Sequence, residues 1–163
     1  MGSLYDILIY QLALHGRLKI ATKPLYTMLS FQQHTPSSLE AGGLLIGRYL
    51  LDCDDVIVDQ VTVPMDGDVR ERCFFKKSTI NHQRILESIW EQSNGTANYI
   101  GEWHTHPEKI PNPSGHDFDQ WRKVLRETKT DQSAIIFMII GTVEIRIWQG
   151  MRRSGKIMEL FAE

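Results

Sequence analysis

One stretch, residues 99–117, constrains this chain more than any other. Residues 99–106 read as a β-strand in which Glu102, His104 and His106 take alternate positions, so the three side chains project from one face. Pro107, Pro111 and Pro113 then exclude both a helix interior and a central strand, and the chain must continue as a stiff loop. That loop delivers Ser114-Gly115-His116-Asp117, a Ser followed three residues later by an acid, which is the pattern of a capping box at a helix start. A strand end and a helix start are thereby predicted to meet, with two imidazoles on one and a carboxylate on the other.

The remaining sequence alternates strands and helices. Residues 5–14 and 17–20 are expected to pair as a hairpin around His15-Gly16, a helix being the alternative for the first segment. Thr22 is placed to cap a helix with Pro24 in its first turn, running to about Gln33, before Thr35-Pro36-Ser37-Ser38 breaks it. Residues 42–51 and 56–63 are β-rich and joined by a polar turn, while 64–77 reads as a long polar loop. Ser78 opens a helix with Ile80, Ile85, Leu86, Ile89 and Trp90 on its apolar face, closed by Asn94-Gly95. The helix after Ser114 carries Phe118, Trp121, Val124 and Leu125 as its stripe, and three strands follow over 134–140, 143–148 and 157–161. This mixture predicts one α/β domain over residues 1–163, a mixed sheet with flanking helices.

Composition removes several function classes. Eighteen basic and 20 acidic residues are interspersed for a formal charge of -2, with no basic stripe, so a nucleic-acid partner is not expected. No apolar run approaches the roughly 20 residues that span a bilayer, and no membrane association is predicted. The N-terminus lacks a basic segment before its apolar residues, against a secretory signal. Met1-Gly2 opens like a myristoylation site, but Asp6 stands where Ser or Thr is needed. Cys53 and Cys73 form neither a disulfide framework nor a zinc-ribbon spacing, which fits reduced thiols in a cytoplasmic protein.

The chemistry is read from the histidine strand. His104 and His106 are spaced about 6.6 Å along it and can converge on one ion. With Asp117 they make a two-imidazole, one-carboxylate set that leaves a fourth tetrahedral place open, as catalytic zinc sites do. Zinc brings the pKa of water to about 7, and a carboxylate is then needed to take the proton and pass it to a leaving amine. The sequence has no H-E-x-x-H, so that base lies elsewhere. Glu102 shares the histidine face, where a supporting role is favoured over that of base. His116 reads as a bystander, His15, His34 and His82 as ordinary core or surface histidines, and Trp103, Phe118, Trp121 and Trp148 as packing residues.

The run His104-Thr105-His106-Pro107, with ten residues between His106 and Asp117 and with Ser114 three before the acid, resembles the JAMM motif of the MPN-plus (JAB-domain) metalloproteases. Glu40-Ala41-Gly42-Gly43-Leu44-Leu45-Ile46-Gly47 resembles that family's upstream glutamate on the approach to a Gly-rich strand. The run Gly101-Glu102-Trp103-His104-Thr105-His106-Pro107 is similar to small bacterial members, which often accompany proteins like the activating and conjugating enzymes of ubiquitin pathways. Covering residues 40–140 in element order, the resemblance implies a cytidine-deaminase-like JAB/MPN fold. It implies zinc on His104, His106 and Asp117, Glu40 as general acid/base, and Ser114 as hydrogen-bond donor to the substrate carbonyl oxygen as it gains charge.

The activity implied is that of an isopeptidase or processing peptidase cutting after the C-terminal tail of a ubiquitin-like protein, with conjugation-pathway enzymes as possible partners. Such a tail is expected to add as a strand at the sheet edge, with the Phe74-Phe75 segment folding over it. Two other readings share the site: a hydrolase for a sulfur-carrier conjugate, and a non-catalytic scaffold. Retention of every expected ligand together with Glu40 weighs against the scaffold.

Overall fold

Strict alternation along the most apolar run, Ala134–Ile140, sets the layering of the molecule. Ile136, Met138 and Ile140 enter one core, and Ile135, Phe137 and Ile139 enter a second core on the opposite face. A strand buried on both faces must be central and must be covered twice. The computed structural model describes residues 7–163 and meets this requirement. The readings that involve Met1-Gly2, Tyr5 and Asp6 lie outside the described residues.

In chain order the elements are β1 (Ile7–Gln11), β2 (Arg17–Ala21), α1 (Thr22–Leu29), β3 (Gly42–Tyr49), β4 (Val56–Val61), β5 (Val69–Glu71) and β6 (Phe74–Lys76). They continue with α2 (Thr79–Gln92), β7 (Asn98–Thr105), α3 (Gly115–Glu127), β8 (Ala134–Ile140), β9 (Ile145–Met151) and β10 (Ile157–Leu160). Eight strands form one mixed sheet in the order β1-β2-β4-β3-β7-β8-β9-β10. The pairs β2/β4 and β7/β8 are parallel and all other neighbours are antiparallel. Beyond β10 the chain returns to the free edge of β1, where Tyr10 bridges Ala162 and Gln11 N–H donates to Phe161 O at 3.2 Å. The two ends of the sheet therefore meet, which covers an otherwise open edge.

Helix α1 places Leu25 and Met28 in the core that holds Leu45, Trp103 and Met138. On the other face, α2 brings Leu86 and Ile89 to Leu44 and Ile46, and α3 brings Trp121 and Leu125 to Phe137 and Trp148. Trp121 stacks on Phe137 with centroids 4.8 Å apart, so α3 is fixed directly over β8. Among the described residues no helix is long and apolar enough to cross a membrane.

Three sequence expectations need correction. Helix α1 ends at Leu29 rather than near Gln33: the backbone tightens into three-residue bonds, Phe31 N–H to Met28 O and Gln32 N–H to Leu29 O, and the Gln33 side chain turns to Ser38 and Arg72. The 64–77 segment contains the β5–β6 hairpin, whose three-residue strands are too short to show a period. Strand β9 starts at Ile145 rather than 143, since the amides of Val143 and Glu144 bond to Lys109 O instead.

The parallel β7/β8 pair depends on a small residue. A Cβ at Gly101 would collide with the carbonyl oxygen of Ile136, which belongs to backbone and cannot swing away. Gly101→Ala is expected to cost about 2 kcal/mol or more in urea denaturation. Gly115→Ala, where a Cβ meets nothing within 4 Å, is expected to leave the midpoint nearly unchanged.

Candidate metal centre

Strand β7 is hydrogen-bonded on both sides, with His104 opposite Gly42 of β3 and Ile139 of β8. Past its end, His106 N–H donates to Ile140 O at 3.0 Å, which carries the extended path one residue further. The proline loop that follows is held by the β8–β9 turn. Thr142 N–H donates to Glu108 O (2.8 Å), and Arg146 Nη1 donates to Pro111 O (3.0 Å) while its other nitrogens grip Glu159 at 2.7 Å each. The loop ends at the predicted capping box: Ser114 Oγ accepts from Asp117 N–H (3.1 Å), and Asp117 Oδ2 accepts from Ser114 N–H (2.8 Å). An acid in the first turn is also favoured by the helix dipole.

These elements bring the predicted side chains together. His104 Nε2 and His106 Nε2 are 3.1 Å apart, Asp117 Oδ1 is 3.3 Å from the first and Asp117 Oδ2 is 3.2 Å from the second. An ion bound tetrahedrally at about 2.1 Å spaces its donors about 3.4 Å apart, and the imidazole pair and the two Asp117 contacts, which end on different carboxylate oxygens, lie near that spacing. Glu40 Oε1 stands 3.5 Å from His106 Nε2, and Glu40, His104 and His106 each offer a ligand atom within 4.8 Å of the others. The donor set of imidazole nitrogens and carboxylate oxygens suits a divalent metal.

The two carboxylates sit in different environments. Burial, with the residue only 5% exposed, pushes Glu40 up to about 7, partly offset by His106 and reinforced by Asp117 and Glu108. Burial also acts on Asp117, but hydrogen bonds from His104, His106 and the Ser114 amide win and hold it well below the usual carboxylate range. His106 loses some basicity to burial, yet Asp117 raises it overall.

Glu40 itself precedes β3 and is held by the β5–β6 hairpin, with Glu40 N–H donating to Glu71 O (2.7 Å) and Arg70 Nε donating to Glu40 O (2.8 Å). Gly42 leaves room for the Phe75 ring and Trp103 O, both of which a Cβ there would strike.

Other candidates take supporting places. Glu102 pairs with Lys77 at 2.6 Å. His116 lies against Phe74, ring centroids 5.6 Å apart. His15 and His34 are exposed. His82 is buried between Thr62 Oγ1 (2.7 Å) and Asp68 (3.0 Å), where it ties α2 to the sheet. Trp103 packs on the opposite face and donates its indole N–H to Thr62 O. Sequence reading missed Glu108, 3.6 Å from His106 Nδ1, and Arg70 and Gln33, which no local pattern marks. Thr105 did carry a signal, a polar residue on the buried phase of the histidine strand.

A family model described as prokaryotic homologs of the JAB domain matches residues 22–150. A CD-NTase/cGAS isopeptidase of Pseudomonas aeruginosa is 37% identical over 118 residues, covering 71% of this chain and 73% of the relative. Another of the same name from Vibrio cholerae is 35% identical over 134 residues, 80% and 78% of the two chains. Among solved structures, the solution structure of a Desulfitobacterium hafniense protein matches with a TM-score of 0.54 over 88% of each chain, at 21% identity, which bears on the fold alone.

The raised value of Glu40 makes a prediction for the metal-free protein. The ordinary value is 4.5 and the folded one about 7, so the unfolded chain releases this proton first as pH rises. The folded state therefore loses stability through that window and stays weakened above it. Glu40→Gln is expected to be more stable than wild type at pH 8 by on the order of 3 kcal/mol, and to converge with it in acid. Urea denaturation in the presence of a chelator measures both limits.

Proposed function

Because the chain belongs to the family of prokaryotic homologs of the JAB domain, we propose that it is a zinc-dependent isopeptidase that frees a protein amine from the C-terminal tail of its conjugated partner. The observation that carries this reading is the triangle of His104, His106 and Asp117 with a buried carboxylate beside it. His104 Nε2, His106 Nε2 and an Asp117 oxygen would hold the zinc ion, a three-ligand set of the kind catalytic zinc sites use. When bound, zinc supplies water acidified to a pKa of about 7 and polarises the scissile carbonyl.

Glu40 takes a proton from the attacking water on its carboxylate and returns it to the leaving amine nitrogen, a task suited to a group near neutral pKa. Asp117, held ionised, does not compete for that proton. Ser114 Oγ accepts the Asp117 amide, which leaves its hydroxyl hydrogen to donate to the carbonyl oxygen as charge develops. A scaffold has no use for a buried carboxylate at Glu40, which lowers folding stability at neutral pH.

The relatives named CD-NTase/cGAS isopeptidases support a narrower substrate, an isopeptide conjugate with a CD-NTase-type protein as one component. An extended tail, of that protein or of a ubiquitin-like one, lies along the site on the acyl side of the bond. The test combines zinc analysis with cleavage of such conjugates by wild type and Glu40→Gln. One zinc per chain in both, with turnover falling by about 10²–10⁴-fold in the variant, is expected. Near-normal turnover by Glu40→Gln would remove Glu40 from the mechanism. Asp117→Asn is expected to weaken zinc binding more than Ser114→Ala, and the reverse order would contradict both roles.

A further inference from the structure

Glu40 lies in no helix or strand, since β3 begins only at Gly42. Backbone hydrogen bonds from two sides decide where it sits. The hairpin supplies Glu71 O and Arg70 Nε to Glu40 itself. The next residue is held from the histidine strand: Ala41 N–H donates to Thr105 Oγ1 (2.9 Å), and Thr105 N–H donates to Ala41 O (2.8 Å).

Gln33 joins these two supports. Its Oε1 accepts from Thr105 Oγ1 (2.8 Å), and its amide donates to Arg72 O in the hairpin (2.8 Å) and to Ser38 O (3.3 Å). The proton directions have one solution. An amide N–H can only donate to Thr105 Oγ1, the hydroxyl hydrogen then goes to Gln33 Oε1, and the Gln33 NH₂ faces two carbonyls. Gln33 is 3% exposed and Thr105 0%, and every polar hydrogen of the two side chains is used inside the protein. Neither is available to a substrate.

We propose that Thr105 and Gln33 are positioning residues, a clamp that locks the Glu40–Ala41 segment to the strand bearing His104 and His106 and so holds the Glu40 carboxylate at the metal centre. This deepens the isopeptidase reading and rests on its assignment of Glu40. Thr105 is suited to the task because alternation turns it away from the imidazoles while leaving it covalently between them. Any shift of the histidine strand then carries Glu40 with it, and the proton carrier keeps its distance from the ligands.

The experiment compares Thr105→Val, which keeps the shape and loses the hydroxyl, with Thr105→Ser, which keeps the hydroxyl. In the metal-free proteins, amide hydrogen exchange at Ala41 is expected to rise about tenfold in Thr105→Val, the factor carried by one ordinary hydrogen bond. Exchange stays near wild type in Thr105→Ser, and the β8 amides are unchanged in both. In the zinc-loaded proteins, kcat for a conjugate is expected to fall about 10–100-fold in Thr105→Val, with KM unchanged and with Thr105→Ser restoring the rate. Unchanged Ala41 exchange in Thr105→Val, or an unchanged kcat beside an active wild type, would overturn the clamp. Raised exchange in a chain whose wild type cleaves no conjugate would support the clamp and overturn the isopeptidase reading instead. Should Thr105→Val fail to fold, Gln33→Met gives the same readout at Ala41, raised exchange supporting the clamp and unchanged exchange refuting it.

Discussion

The double pairing of β7, antiparallel to β3 on one side and parallel to β8 on the other, is the constraint on which the site depends. Parallel strands cannot be joined by a tight turn, so the chain from β7 to β8 must cross over, and it does so through α3. A crossover of this kind leaves a crevice beyond the carboxyl end of the strand, where ligands of α/β proteins commonly bind. His104 and His106 occupy that end and Asp117 occupies the first turn of the crossover helix. The antiparallel partner β3 runs the other way, so its beginning lies at the same place, and Glu40 just ahead of it is brought alongside. Close approach is possible because Gly42 and Gly43 face His104 and Trp103 without side chains.

The electrostatics follow from this packing. Two carboxylates reach the imidazoles under similar burial but end on opposite sides of the ordinary range. Asp117 has hydrogen-bond donors on both oxygens, from the imidazoles and the Ser114 amide, and remains ionised. Glu40 has one histidine at 3.5 Å set against its burial and the negative charges of Asp117 and Glu108, so its charged form is disfavoured. Carboxylates whose environments push them apart in this way can divide the roles of fixed anion and proton carrier, the division proposed above for Asp117 and Glu40. The division stems from the hydrogen bonds that His104 and His106 give to Asp117, with the Ser114 amide adding to them, while Glu40 has only the charge of His106 to offset its burial.

Supports for the site come from parts of the chain that carry no chemistry. Arg146 and Glu159 brace the proline loop, and the His82, Asp68 and Thr62 group braces the segment leading to α2. The second case shows how similar residues can serve unlike ends. His82 is more deeply buried than His104 and His106, yet its partners Thr62 and Asp68 occupy both ring nitrogens and leave no open position. Its sequence context, a histidine on a helix, already pointed to an ordinary core or surface role. Its place in a buried network was not visible there.

Local periods carried most of what could be read from the chain. Alternation along β7 put His104 and His106 on one face, the Ser-x-x-acid spacing announced the cap at α3, and the apolar run at β8 announced a strand, because each of these patterns is complete within a few residues. The resemblance to the JAMM family added Glu40, through the Glu40-Ala41-Gly42-Gly43 run, which no local pattern or spacing reaches. Only the tertiary structure decided that Glu40 stands against His106, that Gln33 leaves its expected helix to join Thr105 to the hairpin, and that 64–77 folds into that hairpin. Those contacts join residues as far apart as Gln33 and Thr105, 72 positions along the chain. Strand pairing brings them together, and pairing depends on which backbone edges meet in space, a property that no period in the sequence encodes.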